Sequence, residues 1–443
     1  MTQSNDQSGA GGSSRRHILT TGLGAVGMGA ASGLLPARRA WAGAEKKLKI
    51  GFISPRTGPL AGFGEADPFV LNLARQSLAK GLTIGGDTYE VVLLDRDTQS
   101  DPTRASQLAK DLINGEKIDM MLTTSTPEVV NPVADACEAA GMPCLSTIEP
   151  WESWYFGRGA KPGQPCPFKW SYHFCFGVEQ FAQTYLSSWN SDVKTNRKVA
   201  GLAPNDADGN AVRQHLYPIL RKAGFDVIDP GGYEDGATDF SAQIAHFKRE
   251  KCEILTTFPI PPDFTRFWRQ AAQQGLTRQM KIVEVAKTGL FPSQIEVLGP
   301  LGYRIAAAAY WHPVFPYGSP VSGLTSAQLA AAYEKHSGHQ WQQQLGASMS
   351  LIDVGIAALK ASGTPTNKVA LAVAMGKLKT TTTVGLVDFT TGPVPHVATT
   401  ILIGAQWVKA KPGSKYKLDY HTIENAEDRK VPVQAKLLPY RMA

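Results

Sequence analysis

Residues 89–147 read YEVVLLDRDTQSDPTRASQLAKDLINGEKIDMMLTTSTPEVVNPVADACEAAGMPCLST, where short apolar runs alternate with longer amphipathic segments. The runs YEVVLLDRD, IDMMLTT and MPCLST predict strands, because each is short, apolar and bounded by turn residues. The segments between them carry helical spacing, and Asp101 and Pro102 supply the first helix with an N-cap and a first helical residue. Strands and helices that alternate in this way predict a parallel sheet covered by helices on both faces.

The alternation extends in both directions from this stretch. KLKIGFIS precedes it as a further strand, and a second set of strands and helices runs from KVAGLAP to MKIVEVA. The two sets are separated by residues 148–180, which are rich in Pro, Gly and aromatic residues. Each set has the size of a domain, so the predicted fold class is α/β with two successive parallel sheets. YRIAAAAYW adds a strand, helices are predicted at 325–336, 344–361 and 365–378, and the strand TTILIGAQWVKA is expected to end the ordered chain.

The first 42 residues are typical of an export signal rather than of a folded segment. Arg15 and Arg16 precede a weakly apolar, Gly-rich run at 18–35, and Ala42 closes an A-x-A cleavage pattern. This arrangement resembles a twin-arginine signal peptide over residues 1–42, cleaved near Ala42. The twin-arginine translocase is therefore an expected partner during export, and the periplasm is the expected location.

Charge and cysteine content exclude several classes of protein. The net charge of +7 is spread over the chain without a basic block, so no nucleic-acid partner is expected. The five cysteines include no C-x-x-C pair, which argues against a zinc or redox site. Cys166 and Cys175 bracket PFKWSYHF and are a candidate disulfide, since exported proteins keep such bonds. The odd count predicts a free thiol or an intermolecular bond.

Motifs for catalysis and cofactors are weak. Gly58, Gly62 and Gly64 do not have the G-x-G-x-x-G spacing, and no G-x-S-x-G elbow occurs. His336 and His339 lack an evident third metal ligand. We therefore expect no cofactor, no metal and no catalytic residue.

The loops that follow the predicted strands are more informative. In open α/β sheets, ligands bind beyond the carboxyl ends of the strands. These ends carry SPRTGPLAGFG, TTSTPE, STIEPWESWYFG, APNDADG, FPIPP and VAKTG, which are rich in hydroxyl groups and aromatic rings. TTSTPE stands at a helix start, where unpaired N–H groups attract a carboxylate. The alternative is ordinary capping by Ser125 or Thr126, and the two roles are compatible.

Four stretches in order carry a family resemblance: KIGFISPRTGPLAGFG, DRDTQSDPTRASQLAKDLINGEKIDMML, AGLAPNDADGNAVRQHLYPILRKAGFDV and GATDFSAQIAHFKREKCEILTTF. Together they resemble the type I periplasmic binding proteins of ABC importers, in particular the branched-chain amino-acid (Leu/Ile/Val)-binding family. The resemblance covers nearly all of residues 45–410. It implies two hinged lobes that enclose a small-molecule solute, and an ABC permease and ATPase complex as partner.

The resemblance also implies ligand contacts at single positions of this sequence. They are an aromatic lid at Phe63, a carboxylate-binding segment at Thr124 and Ser125, the next strand end and loop at Thr147, Glu149 and Trp151, and an aromatic contact of the second lobe at Phe258. Two positions depart from the family pattern. Asp208 stands near a position where the family often has an aromatic residue beside a Gly. Lys287 stands about where the amino-acid binders of the family have the acidic residue that binds the α-ammonium group.

Lys287 leaves two hypotheses about the solute open. An acid-to-Lys change reverses the sign of the partner, so the solute would be an aromatic or aliphatic carboxylate without an amino group. Alternatively Glu149, Asp208 or Glu284 takes the ammonium, and Lys287 is a solvated residue at a helix start. Two roles are open for the aromatic residues of segment 148–180, which we call the insert: they stack on a planar solute, or they pack the insert itself. These residues are Trp151, Trp154, Tyr155 and Phe156.

The predicted division places lobe 1 at 43–167 plus 312–392 and lobe 2 at 168–311 plus 393–443. The predicted function is capture of a small carboxylate-bearing solute by hinge closure, without catalysis. The alternatives are an exported enzyme and the ligand-binding module of a sensor on the same fold.

Overall fold

Two seven-stranded sheets organise the computed structural model, which describes residues 46–440. In chain order the strands are β1 (Lys46–Ser54), β2 (Leu82–Ile84), β3 (Asp87–Asp97), β4 (Met120–Thr124), β5 (Cys144–Thr147), β6 (Ser171–Phe174), β7 (Lys198–Leu202), β8 (Asp226–Ile228), β9 (Ile254–Thr257), β10 (Ile282–Val285), β11 (Ala306–Ala309), β12 (Lys379–Thr382), β13 (Gly385–Asp388), β14 (Val397–Ala398), β15 (Ile403–Lys409) and β16 (Leu418–Thr422).

The strand order defines two lobes. The first sheet has the order β14-β6-β5-β4-β1-β3-β2 and the second β16-β15-β11-β10-β9-β7-β8, while β12 and β13 form a separate hairpin. Pairing is parallel except at β2, β15 and β16, which run antiparallel to their neighbours. We call the part built on the first sheet lobe 1 and the part built on the second lobe 2. The predicted two-lobed α/β fold is confirmed.

Helices cover the sheets. They are α1 (Asp67–Ser77), α2 (Pro102–Asp111), α3 (Pro127–Ala140), α4 (Trp151–Tyr155), α5 (Val178–Trp189), α6 (Ala207–Ala211), α7 (Tyr217–Lys222), α8 (Ser241–Arg249), α9 (Pro261–Gln273), α10 (Pro292–Val297), α11 (Ser326–Ser337), α12 (Gln344–Ser362) and α13 (Lys368–Gly376). Of the described helices, α12 is long and apolar enough to cross a membrane, but 78% of its apolar stretch is buried inside the protein, as in a core helix.

Local sequence signals explain where α2 begins. The Asp101 carboxylate accepts a hydrogen bond from the Arg104 amide at 2.7 Å, and Pro102 is the first helical residue. Both features were predicted, because a side-chain oxygen and a proline satisfy or remove N–H groups that have no partner inside the helix. After Asp111 the helix continues as a wider π-helical turn, Leu112–Glu116.

The chain passes between the sheets three times. It leaves lobe 1 after β6, returns after β11, and leaves again after β14. The predicted lobe 2 began at residue 168, whereas Ser171–Phe174 still pair with β5 in the first sheet. Likewise Val397–Ala398 pair with β6, beyond the predicted crossing near 393. Sheet pairing thus puts both crossings a few residues later, although the lobe boundaries themselves stay a prediction.

The C-terminal part contains a strand that the sequence analysis missed. We expected the ordered chain to end with TTILIGAQWVKA, but β16 pairs with β15 from Ala405↔Thr422 to Lys409↔Leu418. Tyr440 then packs against Trp268 with ring centroids 5.5 Å apart. That prediction was wrong because β16 is short and lies among polar turn residues.

Two sequence predictions concern the cysteines and the export signal. All five cysteines are free thiols, so the candidate disulfide between Cys166 and Cys175 is not formed. The Cys175 amide instead donates to the Ala398 carbonyl at 3.1 Å, which holds this residue beside the end of β14. The predicted twin-arginine signal, residues 1–42, lies outside the described residues.

Candidate functional site

Loops from both lobes meet at the carboxyl ends of their parallel strands. In lobe 1, β4 and β5 are neighbours that end together, with Thr124 opposite Thr147. In lobe 2, the segments that follow β7, β9 and β10 supply Asp208 at the start of α6, Phe258 and Lys287. This is the edge at which open α/β sheets bind ligands.

The loops enclose a cavity of about 470 Å³ that both lobes line. Its wall is mainly apolar, with a few polar groups that converge on one part. The lining residues are Phe63, Ser125, Thr126, Ile148, Glu149, Pro150, Phe176, Phe181, Asp208, Phe258, Ala286, Lys287, Leu290, Ala308, Tyr310 and Leu402. Mostly apolar walls with a small number of polar groups are typical of small-molecule sites.

The backbone is strained at two places in this wall. Ser125 has φ 138° and Ile148 has φ 89°, and both follow directly after a strand of lobe 1. Positive φ is rare for residues other than glycine and costs about 1–3 kcal/mol, most clearly for a β-branched side chain. Such strain persists where the surroundings impose it, and it is concentrated at ligand sites.

Three buried hydroxyl groups lie at the start of α3. Thr124, Ser125 and Thr126 are at most 3% exposed, and their hydroxyl oxygens have no hydrogen-bond partner among residues 46–440. Thr126 is the N-cap of α3 by position, yet its side chain makes no capping bond. The capping alternative is therefore not realised. Ser125 and Thr126 line the cavity, where the positive end of the α3 dipole favours a negative group.

Lys287 is surrounded by carboxylates. Its Nζ lies 3.1 Å from Asp206 Oδ2 and 2.9 Å from Asp208 Oδ2, and these three side chains are between 4% and 11% exposed. Burial alone would lower the pKa of Lys287, but Asp206, Asp208 and Glu128 outweigh it and raise that pKa well above its ordinary value. Lys287 is thus a buried, charged and paired residue, and the hypothesis of a solvated helix-start residue is wrong.

Glu149, in contrast to Lys287, is a buried ionisable group without a hydrogen-bond partner among residues 46–440. It is 2% exposed and lines the cavity, and neither carboxyl oxygen has a hydrogen-bond partner in the described part of the chain. Burial, followed by the charges of Asp208 and Glu128, raises its pKa well above the ordinary value. Asp208 is also affected, since burial raises its pKa to about 6 despite Lys287. The polar part of the cavity therefore combines two carboxyl groups, Glu149 and Asp208, with a charged lysine whose charge is already balanced by Asp206 and Asp208.

The floor of the cavity comes from the three segments that join the lobes. Phe176 follows the first crossing, Tyr310 the second and Leu402 the third. The rings of Phe176 and Tyr310 stack with centroids 5.6 Å apart. Across the mouth, Phe63 of lobe 1 meets Phe291 of lobe 2 edge-to-face at 5.0 Å. The cavity, the three crossing segments and this contact between the lobes are therefore adjacent.

Six of the nine predicted ligand-binding residues line the cavity together: Phe63, Ser125, Glu149, Asp208, Phe258 and Lys287. Three do not. Thr124 is the last residue of β4, and the Thr147 hydroxyl donates to the Phe174 carbonyl at 2.6 Å. Trp151 belongs to a separate core cluster with Trp154, Tyr155 and Phe168. The structure thus gives the aromatic insert packing contacts.

The missed lining residues are mostly apolar. Phe181 lies on α5, and Phe176, Tyr310 and Leu402 lie at the crossings. Their types are common in any core, so the sequence offers no signal that separates them from buried residues. A more exact position of the crossings would have found three of them.

Comparisons with known proteins agree with this geometry. The Leu/Ile/Val-binding protein homolog 8 of Brucella suis biovar 1 is 22% identical over 258 residues, which span 56% of this chain and 60% of that relative. The leucine-binding protein LivK of Thermotoga maritima has a similar fold, with TM-score 0.68 and 18% identity over 86% of this chain and 99% of LivK.

A second solved structure extends the comparison to another solute. The solute-binding protein of an ABC transporter from Rhodopseudomonas palustris BisB5, in complex with 3,4-dihydroxybenzoic acid, has TM-score 0.66 and 19% identity. The alignment covers 89% of this chain and 99% of that protein. The family predicted from the sequence is confirmed, since residues 47–411 match the family model described as periplasmic binding protein, and the chain belongs to that family.

Proposed function

We propose that this chain is the extracytoplasmic solute-binding protein of an ABC importer and captures a small carboxylate-bearing solute between its lobes. The observation that carries the proposal is the row of buried, unpartnered hydroxyl groups at the start of α3, two of which face the cavity. A carboxylate placed there accepts hydrogen bonds from Ser125 and Thr126 and lies at the positive end of the helix dipole.

The remainder of the solute is small and largely apolar. Phe63, Phe176, Phe181 and Phe258 line the cavity, together with aliphatic side chains. A leucine-binding relative and a dihydroxybenzoate-binding relative both handle acids with apolar bodies. We therefore propose an amino acid or an aromatic acid, with the carboxylate at α3 and the apolar body against these rings.

Binding works by closure of the lobes. The solute touches lobe 1 through Ser125 and lobe 2 through Phe258, so only the closed form makes both sets of contacts. The three crossing segments act as the hinge. The partner is a permease and ATPase complex that recognises the closed form, and the location is the periplasm, reached through a cleaved twin-arginine signal.

A thermal-shift screen tests the proposal. The purified chain is heated with amino acids, with aromatic and aliphatic acids, and with the methyl ester of each compound as a matched control. We expect a subset of the acids to raise the melting temperature and their esters to leave it unchanged, because the ester removes the charge that α3 binds. Equal shifts by acid and ester, or chemical conversion of the solute, would contradict the proposal.

A further inference from the structure

We propose that Glu149 exchanges a proton for a cationic nitrogen of the solute: its carboxyl group is protonated in the empty cleft and releases the proton when an ammonium group takes its place. This inference rests on the proposed function and narrows it, because it selects solutes that carry an ammonium group besides the carboxylate.

The position of Glu149 fits such an exchange. It lies two residues after the end of β5, and its backbone carbonyl accepts a hydrogen bond from His173 Nε2 at 2.9 Å, which fixes the loop. Glu149 lines the cavity, and both oxygens of its carboxyl group are buried without a hydrogen-bond partner among residues 46–440. A buried carboxylate without a partner is costly, so the group must be neutral or must find a cation.

The cations that act on Glu149 within residues 46–440 already have carboxylate partners. Lys287 is the lysine of the cavity wall, and its ammonium already pairs with Asp206 and Asp208. Arg158 lowers the pKa of Glu149 less than burial, Asp208 or Glu128 each raise it, and it pairs with Asp135 at 2.7 Å. The titratable and charged groups around Glu149 are Glu128 on α3, Glu152 on α4, Arg158, His173 on β6, Cys175, Asp208 on α6 and Lys287.

The balance among these groups favours the neutral form of Glu149 in the empty cleft. Burial raises its pKa first, Asp208 and Glu128 raise it further, and Arg158 and Lys287 oppose them. The pKa of Glu149 is raised well above its ordinary value, and burial without a hydrogen-bond partner among residues 46–440 favours the protonated carboxyl group on geometric grounds as well.

The exchange has a defined balance of protons. The carboxylic acid and the ammonium form give a carboxylate–ammonium pair, and one proton passes to solvent. The affinity for an ammonium-bearing acid therefore rises with pH below the pKa of Glu149, by up to about tenfold per pH unit. The affinity for the same acid without its amino group falls over that range, because the ionised Glu149 repels the solute carboxylate.

The experiment uses matched pairs of probes, leucine with 4-methylpentanoate and phenylalanine with 3-phenylpropanoate. Calorimetric titrations in phosphate and in Tris at the same pH give the number of protons released per solute bound. We expect close to one proton for the amino acid and none for its analogue. A Glu149→Gln variant should bind the amino acid about tenfold to hundredfold more weakly and no longer release a proton.

A neighbouring carboxyl group provides the control. Burial raises the pKa of Glu152 to about 8, but its Oε1 accepts a hydrogen bond from the Val178 amide at 3.0 Å and it does not line the cavity. Glu152→Gln should leave the proton release unchanged. Binding of an amino acid without proton release, or binding only of acids that lack an amino group, would overturn the inference while the proposed function stands. If no acid binds at all, both fail.

Discussion

At the residue scale, Ser125 combines three unusual properties. It is fully buried, its backbone has φ 138°, and its hydroxyl group has no partner among the described residues. A core residue with these properties would lower stability without a compensating contact. The combination is understandable if the missing partner is a solute.

Replacing Ser125 by alanine tests this interpretation. We expect the affinity for the solute carboxylate to fall about tenfold to hundredfold, because a hydrogen bond to a charged group is lost. The melting temperature of the ligand-free protein should hardly change, since the hydroxyl group makes no bond in it.

Thr123, two residues earlier, is the matched control. Its hydroxyl group donates to the Ile53 carbonyl at 3.0 Å, so Thr123→Val should lower the free energy of unfolding by about 1 kcal/mol and leave affinity intact. If instead Ser125→Ala behaved like Thr123→Val, Ser125 would be a structural residue.

For Lys287 the predicted effect is a loss of stability, whereas for Ser125→Ala it is a loss of affinity. A Lys287→Met variant leaves Asp206 and Asp208 without their buried counter-ion, which should cost about 3–5 kcal/mol of stability. An added Asp208→Asn change should recover part of that loss, because one uncompensated charge is removed. Chemical denaturation of the single and double variants measures both effects. Unchanged stability of Lys287→Met would show that the cluster is not an energetic unit.

At the element scale, the loop after β1 shows what the sequence could and could not predict. The family resemblance implied that this loop, GPLAGFG, supplies an aromatic lid to the ligand at Phe63. The structure places Gly62 against the other lobe, where an added Cβ would lie 3.0 Å from the Phe291 ring. Phe63 lines the cavity, although its role as a lid stays a prediction, and the sequence could not identify Phe291 because contacts between lobes have no local pattern.

A side chain at Gly62 should therefore obstruct closure. For Gly62→Val we expect solute affinity about tenfold to hundredfold lower, because the new methyl groups collide with Phe291 in the closed form. The melting temperature of the ligand-free protein should change less than its solute-induced increase. Calorimetric titration measures the affinity, and Ala61→Val at the neighbouring, partly exposed position is the control. Equal affinities of the two variants would contradict a lobe contact at Gly62.

The alternating strands and helices were predictable because their signals are local in sequence, whereas contacts between distant loops have no such signal. Periodicity and caps such as Asp101 are local, so α2, α3, β4 and β5 could be predicted close to their observed bounds. The crossings depend on which strand pairs with which, as β14 shows by returning to β6. Pairing of that kind joins residues far apart in sequence, so the cavity residues at the crossings were missed as well.

At the scale of the whole molecule, buried carboxyl groups make stability depend on pH. Burial raises the pKa of Asp67 and Asp353 to about 7 and that of Glu152 and Glu284 to about 8. Each group holds a proton in the folded state at a pH where the unfolded chain has released it. Its contribution is complete below the unfolded value of roughly 4 and is lost as pH rises through the folded value.

The expected result is a melting temperature of the ligand-free protein that falls between pH 6.5 and 8.5. His173 and His312 do not interfere in this window, because burial lowers the pKa of His173 to about 3 and of His312 to about 4, so their effect ends near pH 6.5. Scanning calorimetry measures the slope, and Glu284→Gln should flatten it. A melting temperature that rises over this range would contradict the assigned protonation states.

We propose that the chain binds its solute by closing two lobes around it. Small-angle X-ray scattering, recorded while the chain is titrated with an acid that raises its melting temperature, tests this most directly. We expect the radius of gyration to decrease during the titration and to reach a constant value at one solute per chain. A bound solute with an unchanged radius of gyration would contradict it.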